Sequence, residues 1–216
     1  MKLNTGDILL FDERPNMCCM AGLDTLIKCC TRSKYSHCAL VVVDPPFAPQ
    51  CKGTFVWESS WHGTADPQDN TVKFGVQLTP ITFYTDNYPG IVTIYRRRPI
   101  LEKTRRLFSD EALTAIHKKV YLHGYDTRVK DWCSALFKKR IQRQTDVFTC
   151  SAFVSFVLTE LEILEAETPW TIVSAADLSS RASSLVEWRF WYDRDTRVER
   201  NPLCESLIAN DVAIDM

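Results

Sequence analysis

The chain is predicted to be an α+β protein, an antiparallel sheet or small barrel packed against helices. Three observations predict it. Short apolar runs with strand-like alternation, separated by turn residues, fill the first hundred positions. Helical periodicity with start and stop residues dominates the remainder. Strands first and helices later is the order of an α+β chain, not of alternating βαβ units. At 216 residues the length suits one domain, read as residues 1–200, with 201–216 as a weakly ordered tail.

The elements follow in order. Gly6 to Phe11 reads as a turn feeding a buried strand. Leu23, Leu26, Ile27 and Cys30 have helical spacing over 22–30. His37 to Val43 is an almost unbroken apolar strand, stopped by Asp44-Pro45-Pro46. Thr54 to Ser59 alternates Phe55 and Trp57 against Val56 and Glu58. Val72 to Leu78 and Ile91 to Arg96 complete the sheet. Ser109 and Asp110 open a helix carrying Leu113, Ile116, His117 and Val120, which Gly124 is expected to end. A second helix covers much of 130–141. A third runs from Cys150 to about Leu164, with a polar stripe of Ser151, Ser155, Thr159 and Glu162. A short helix at 174–178 and a strand over Val186–Tyr192 close the domain.

Composition excludes several functions. Apolar residues make up 45%, charged residues 25%, and the net charge is −1, so nothing electrostatic suggests nucleic acid as a partner. No apolar stretch approaches the ~20 residues that cross a bilayer. The first residues turn polar at once, without a signal-peptide core. Nine cysteines, including the pairs Cys18-Cys19 and Cys29-Cys30, then read as reduced thiols in a cytoplasmic setting. They lack the C-x-x-C spacing of zinc sites. Walker and Rossmann patterns are absent, and no cofactor or metal is expected.

Two short motifs suggest chemistry. Phe148-Thr-Cys-Ser-Ala-Phe-Val154 places Cys150 at a helix start, with Thr149 as N-cap. There the positive end of the helix dipole favours a thiolate. Tyr35-Ser36-His37 places His37 at the start of a buried strand, where a rigid imidazole can take the proton. Glu58, at the end of the following strand, can accept the second ring N–H and fix the tautomer. Three other histidines compete: His62, in an apparent loop, and His117 and His123 on or near one helix. Cys133, in Trp132-Cys133-Ser134-Ala135, repeats the Cys-Ser-Ala motif but falls inside a helix. These residue patterns favour Cys150 without eliminating Cys133.

The ordered pieces Thr5–Phe11, Tyr35–Val41, Val56–Ser59, Gly75–Leu78, Gly124–Asp126 and Thr149–Val154 resemble the circularly permuted papain-like cysteine hydrolases of the YiiX/YaeF type. These belong to an NlpC-like superfamily with poxvirus members. The resemblance covers about residues 5–180. It implies a permuted papain-like fold with Cys150 as nucleophile, His37 as base and Glu58 as third polar residue, and it disfavours Cys133. It also implies that Tyr125, Tyr35 and Ser151 line the substrate site. The expected activity is hydrolysis of an amide or ester in a small-molecule, lipid-linked or peptide substrate. The alternatives are a lipid acyltransferase and an inactive binding module on the same fold. A viral source would place the chain in host cytoplasm or virion. Cys38-Ala39 after the histidine departs from the Val-Gly of many members.

Two further groups have competing readings. Arg96-Arg97-Arg98 with Lys103, Arg105 and Arg106 is either a peripheral contact for anionic lipid or a solvated face, and near-zero net charge favours the latter. Trp188, Phe190, Trp191 and Tyr192 either line an acyl pocket or, more in keeping with aromatic usage, pack in the core.

Overall fold

Apolar residues on both faces of a strand require cover on both faces of the sheet, and the first strands are built this way. The computed structural model describes residues 3–13, 35–85, 92–99, 101–126, 146–179 and 192–199. Within them lie β1 (Ile8–Glu13), β2 (His37–Val43), β3 (Thr54–Asp66), β4 (Thr71–Pro80), α1 (Ile81–Thr85), β5 (Val92–Pro99), α2 (Glu102–Arg106) and α3 (Asp110–Val120). They continue with β6 (Gly124–Tyr125), β7 (Val147–Phe148), α4 (Cys150–Glu160), a 3₁₀ turn (Trp170–Ile172), α5 (Ala175–Ser179) and β8 (Tyr192–Glu199). The strands form one sheet in the order β7-β6-β4-β3-β2-β1-β5-β8. Described pairings are antiparallel except β6–β7. The architecture is therefore mixed, in keeping with an α+β class.

Strand alternation divides the interior in two. Ile8, Leu10, Cys38, Leu40, Trp57, Val76 and Leu78 face α4 and its neighbours, where Phe148, Phe153, Val157 and Trp170 fill the larger core. Leu9, Phe11, Ala39, Val41 and Val56 face the other way and pack with Tyr84 of α1. The far end of the β3–β4 hairpin is locked to α3. Lys73 Nζ lies 2.7 Å from Asp66 Oδ2 and 2.5 Å from Asp69 Oδ2, and the Tyr121 hydroxyl donates to Asp69 at 2.7 Å. His117 sits 2.8 Å from Gln68 Oε1 and stacks on Phe47.

Several sequence expectations need correction. β3 runs well past Ser59, to Asp66, so His62 lies in a strand, not a loop. Gly124 does not end α3. Tyr121 is the C-cap, and Leu122, at φ 64°, makes the reversal. Gly124 is instead in β6, opposite Gly75. α4 stops at Glu160, and the first half of its expected polar stripe is buried: every residue from Cys150 to Leu158 is inside, Ser151 and Ser155 included, while Thr159 is half-buried and Glu162 is exposed beyond the helix. Ser151 and Ser155 are small enough to let neighbouring elements close on the helix, and Thr159 Oγ1 donates back to the Ser155 carbonyl. The strand β8 is described over Tyr192–Glu199; of the strand expected over Val186–Tyr192 only Tyr192 is among the described residues. The expected helices over 22–30 and 130–141 lie outside the described residues. So do Cys18, Cys19, Cys29, Cys30 and Cys133, residues 186–191 with Trp188, Phe190 and Trp191, and the 201–216 tail.

Gly75 has φ 149°, and a Cβ there would meet the His123 carbonyl oxygen at 2.2 Å and Gly124 Cα at 2.7 Å. This close approach seats β6 on β4. Gly75→Ala should lower stability by roughly 2–4 kcal/mol, the range for overpacking combined with backbone strain. Gly53→Ala, where nothing lies within 4 Å of the added carbon, should cost only the strain of its positive φ, about 1 kcal/mol. Urea unfolding of both variants checks the contrast; equal losses would contradict the close-approach account.

Candidate functional site

The start of α4 reaches the sheet where two strands part. β2 pairs with β1 from His37 onward, but with β3 only from Leu40↔Trp57. Beyond that point Ser59 Oγ donates to the Phe148 carbonyl at 2.7 Å. The same carbonyl accepts from Asp126 N at 3.1 Å. These two bonds tie the segment entering α4 to β3 and β6. Thr149 then caps the helix, its hydroxyl accepting from Ala152 N at 3.3 Å, a contact worth about 1 kcal/mol. Cys150 follows as the first helical residue and is buried.

Cys150, His37 and Glu58 are brought together here. His37 Nε2 lies 2.5 Å from Glu58 Oε2. The imidazole is also the hydrogen-bonding and charge partner of Cys150. With Nε2 committed to the carboxylate, Nδ1 is the ring nitrogen left for the sulfur. Cys38, with its side chain and its backbone N–H, also favours the charged form of the Cys150 sulfur. The free N–H follows from the parting of β2 from β3.

The electrostatics favour an ion pair. The Cys38 hydrogen bond pulls the Cys150 thiol well below the ordinary range, burial opposes this, and the charge and hydrogen bond of His37 add to the lowering. For His37 burial is the largest influence and favours the neutral ring. The Cys150 charge and hydrogen bond, followed by those of Glu58, overcome it and leave His37 well above its usual value. Burial pushes the Cys38 thiol well up, reinforced by Cys150, so Cys38 remains a protonated donor. Burial also works against the Glu58 charge, but His62 and His37 outweigh it and hold the carboxyl far below the carboxylate range.

Tyr84, Ser60 and Gln77 belong to this arrangement without being singled out by the sequence, and His62, a candidate base there, supports Glu58 instead. Tyr84 OH lies 2.9 and 2.7 Å from the two Glu58 oxygens. His62 Nε2 is 3.0 Å from Glu58 Oε1 and 3.0 Å from Ser60 Oγ. Gln77, opposite Glu58 in the β3–β4 register, donates to Ser60 Oγ at 2.6 Å. Glu58, Ser60 and His62 stand at every second position of one strand. That alternation was the available signal, hidden because the Gly after His62 suggested a loop.

The expected substrate-lining residues are placed as follows. Tyr125 is half-buried in β6, stacked on Phe74 at 5.0 Å and paired with Phe148, two residues before Cys150. Ser151 is buried in the first turn of α4, and Tyr35 is half-buried just before β2. His117 belongs to the hairpin lock, and His123 stacks on Phe148. Arg96, Arg97 and Arg98 lie in β5, on the far side of β1 and β2 from β3. Among the described residues no helix is long and apolar enough to cross a membrane. The chain matches no protein-family model and no curated protein.

A carboxylate whose folded pKa is depressed stabilises the fold above its unfolded value, and the contribution is lost as pH falls through the folded value. Glu58→Gln should therefore be less stable than the parent at neutral pH, by roughly 2 kcal/mol for a lost charged hydrogen bond. The gap should narrow as pH drops below the ordinary carboxylate range. Chemical denaturation at a series of pH values measures it. A gap independent of pH would mean that Glu58 does not fold as a stabilised anion.

Proposed function

We propose that the chain is a cysteine hydrolase of the permuted papain-like type, cleaving an amide or ester bond through an acyl-enzyme on Cys150. The observation that supports it best is the line Cys150–His37–Glu58, buried at both ends: a nucleophile at a helix N-terminus, a base beside it, and a carboxylate 2.5 Å behind the base. The order of the pieces along the chain, histidine before cysteine, is that of the permuted family.

The chemistry follows from these positions. The Cys150 thiolate attacks the carbonyl carbon and forms a C–S bond, and the carbonyl π electrons move to oxygen. The first N–H groups of a helix have no intrahelical acceptor, so those at Cys150 and Ser151 can hold the oxyanion. As the tetrahedral intermediate collapses, the C–N or C–O bond breaks and His37 Nδ1–H protonates the leaving amine or alkoxide. The thioester remains. His37, now neutral, takes a proton from water, whose oxygen attacks the thioester and displaces the Cys150 thiolate. Glu58 keeps the proton on Nε2 throughout and compensates the charge of the imidazolium. Tyr125, Tyr35 and Ser151 are assigned to the substrate side. The substrate is small, lipid-linked or peptide, and the setting is cytoplasmic.

An activated-ester probe should leave an acyl group on Cys150, detected by peptide mass spectrometry. Cys150→Ala should abolish it. His37→Ala should slow it by roughly 10²–10⁴-fold, the usual worth of a positioned base. Glu58→Gln should lose less, because it changes only the support of the ring. Equal labelling of the parent and Cys150→Ala would contradict the hydrolase reading and favour a binding module.

A further inference from the structure

We infer that Tyr84 and His62 are positioning residues that hold the Glu58 carboxylate on His37 and thereby set the ionisation of Cys150. The inference rests on the nucleophile, base and orienter assigned above, and adds two side chains from outside that set.

The terminal torsion of a glutamate is broad and roughly two-fold, with no intrinsic preference sharp enough to aim one oxygen. The aim must come from donors around it. Tyr84 OH is within reach of both oxygens, at 2.9 and 2.7 Å, so it sits across the open end of the carboxylate and opposes its rotation. Oε2 is then left facing His37 Nε2 at 2.5 Å. His62 Nε2 lies 3.0 Å from Oε1. An ionised carboxylate only accepts, so this nitrogen carries its proton and donates. Each oxygen thus has its own histidine, and the tyrosine spans the two.

Both added side chains are held in place themselves. The Tyr84 ring packs at 4.6 Å from Phe11 and edge-on to Phe83, and Phe11 in turn lies 5.1 Å from the His37 ring. His62 packs at 4.5 Å on Phe83 and touches Ser60 Oγ, which Gln77 fixes from β4. Among the described residues, the titratable groups facing Glu58 are His37 from β2, His62 from its own strand and Tyr84 from α1. Cys150 from α4 and Cys38 from β2 stand beyond His37. A change at Tyr84 or His62 therefore reaches the sulfur through the carboxylate and the imidazole in series.

The test is the pH profile of Cys150 alkylation by iodoacetamide, followed at that residue in the full chain. Tyr84→Phe and His62→Ala should each move the midpoint upward by about one unit. A hydrogen bond to a charged group is worth on the order of one to two units at the group itself, and less one residue further on. His62→Gln, which keeps an N–H donor, should recover most of the shift. Tyr84→Phe should add nothing in a Glu58→Gln background, because its route is then already cut. A purely structural role would change melting temperature without moving the midpoint. Profiles of Tyr84→Phe and His62→Ala that superimpose on the parent, or an undiminished Tyr84→Phe shift without Glu58, would overturn the inference. A parent midpoint at the ordinary thiol value would instead overturn the nucleophile reading beneath it.

Discussion

Glu58 is a carboxylate with none of its side chain in water, and an ion in that position persists only if fixed donors replace the lost hydration. His37, His62 and Tyr84 supply them. They come from β2, β3 and α1, so the carboxylate ties its own strand to both β2 and α1. Removing one partner of such a buried charge costs several kcal/mol, whereas an apolar replacement of the whole cluster can be neutral. Stability alone is therefore a weak reason for the cluster. What it provides is a fixed negative charge on one side of an imidazole, and the other side of that imidazole meets a sulfur.

The fold supports this arrangement by withholding a pairing. Had β2 and β3 stayed in register down to His37, the Cys38 N–H would have been committed to the ladder and α4 would have had no place to enter. The strands part instead, Ser59 turns its hydroxyl to the Phe148 carbonyl, and the helix start fills the gap. The helix N-terminus, Cys38 and the imidazole then all favour the charged form of the sulfur. Gly75 is the distant counterpart of this design: without a side chain there, β6 can approach β4, and β6 carries the β7 segment that leads into Cys150.

Local patterns were legible from the residues alone. A threonine before Cys150 and an apolar stretch after it are sufficient to mark a helix start, and the apolar run opening at His37 defines β2 to the residue. Glu58 was within reach because one hairpin separates it from His37. Tyr84 was not, since it returns from a five-residue helix after β4 and no periodicity connects it to position 58. His62 was misplaced because Gly63 imitates a loop residue, whereas the strand tolerates it at φ 70° beside a register shift. The serines of α4 misled in the opposite sense: polarity suggested an outer face, but in a helix enclosed on all sides their small volume matters more than their hydroxyls.

The central claim is that a buried charge on Glu58 and a thiolate on Cys150 keep His37 protonated between them. Heteronuclear NMR of the His37 ring nitrogens across a pH titration reads this directly. In the parent protein both ring nitrogens should carry protons at neutral pH, and the titration should lie above that of an ordinary histidine. In Cys150→Ala, where the largest influence raising its pKa is gone, burial should pull the titration downward. A ring that is neutral at neutral pH in the parent, with a titration unchanged in Cys150→Ala, would contradict the account.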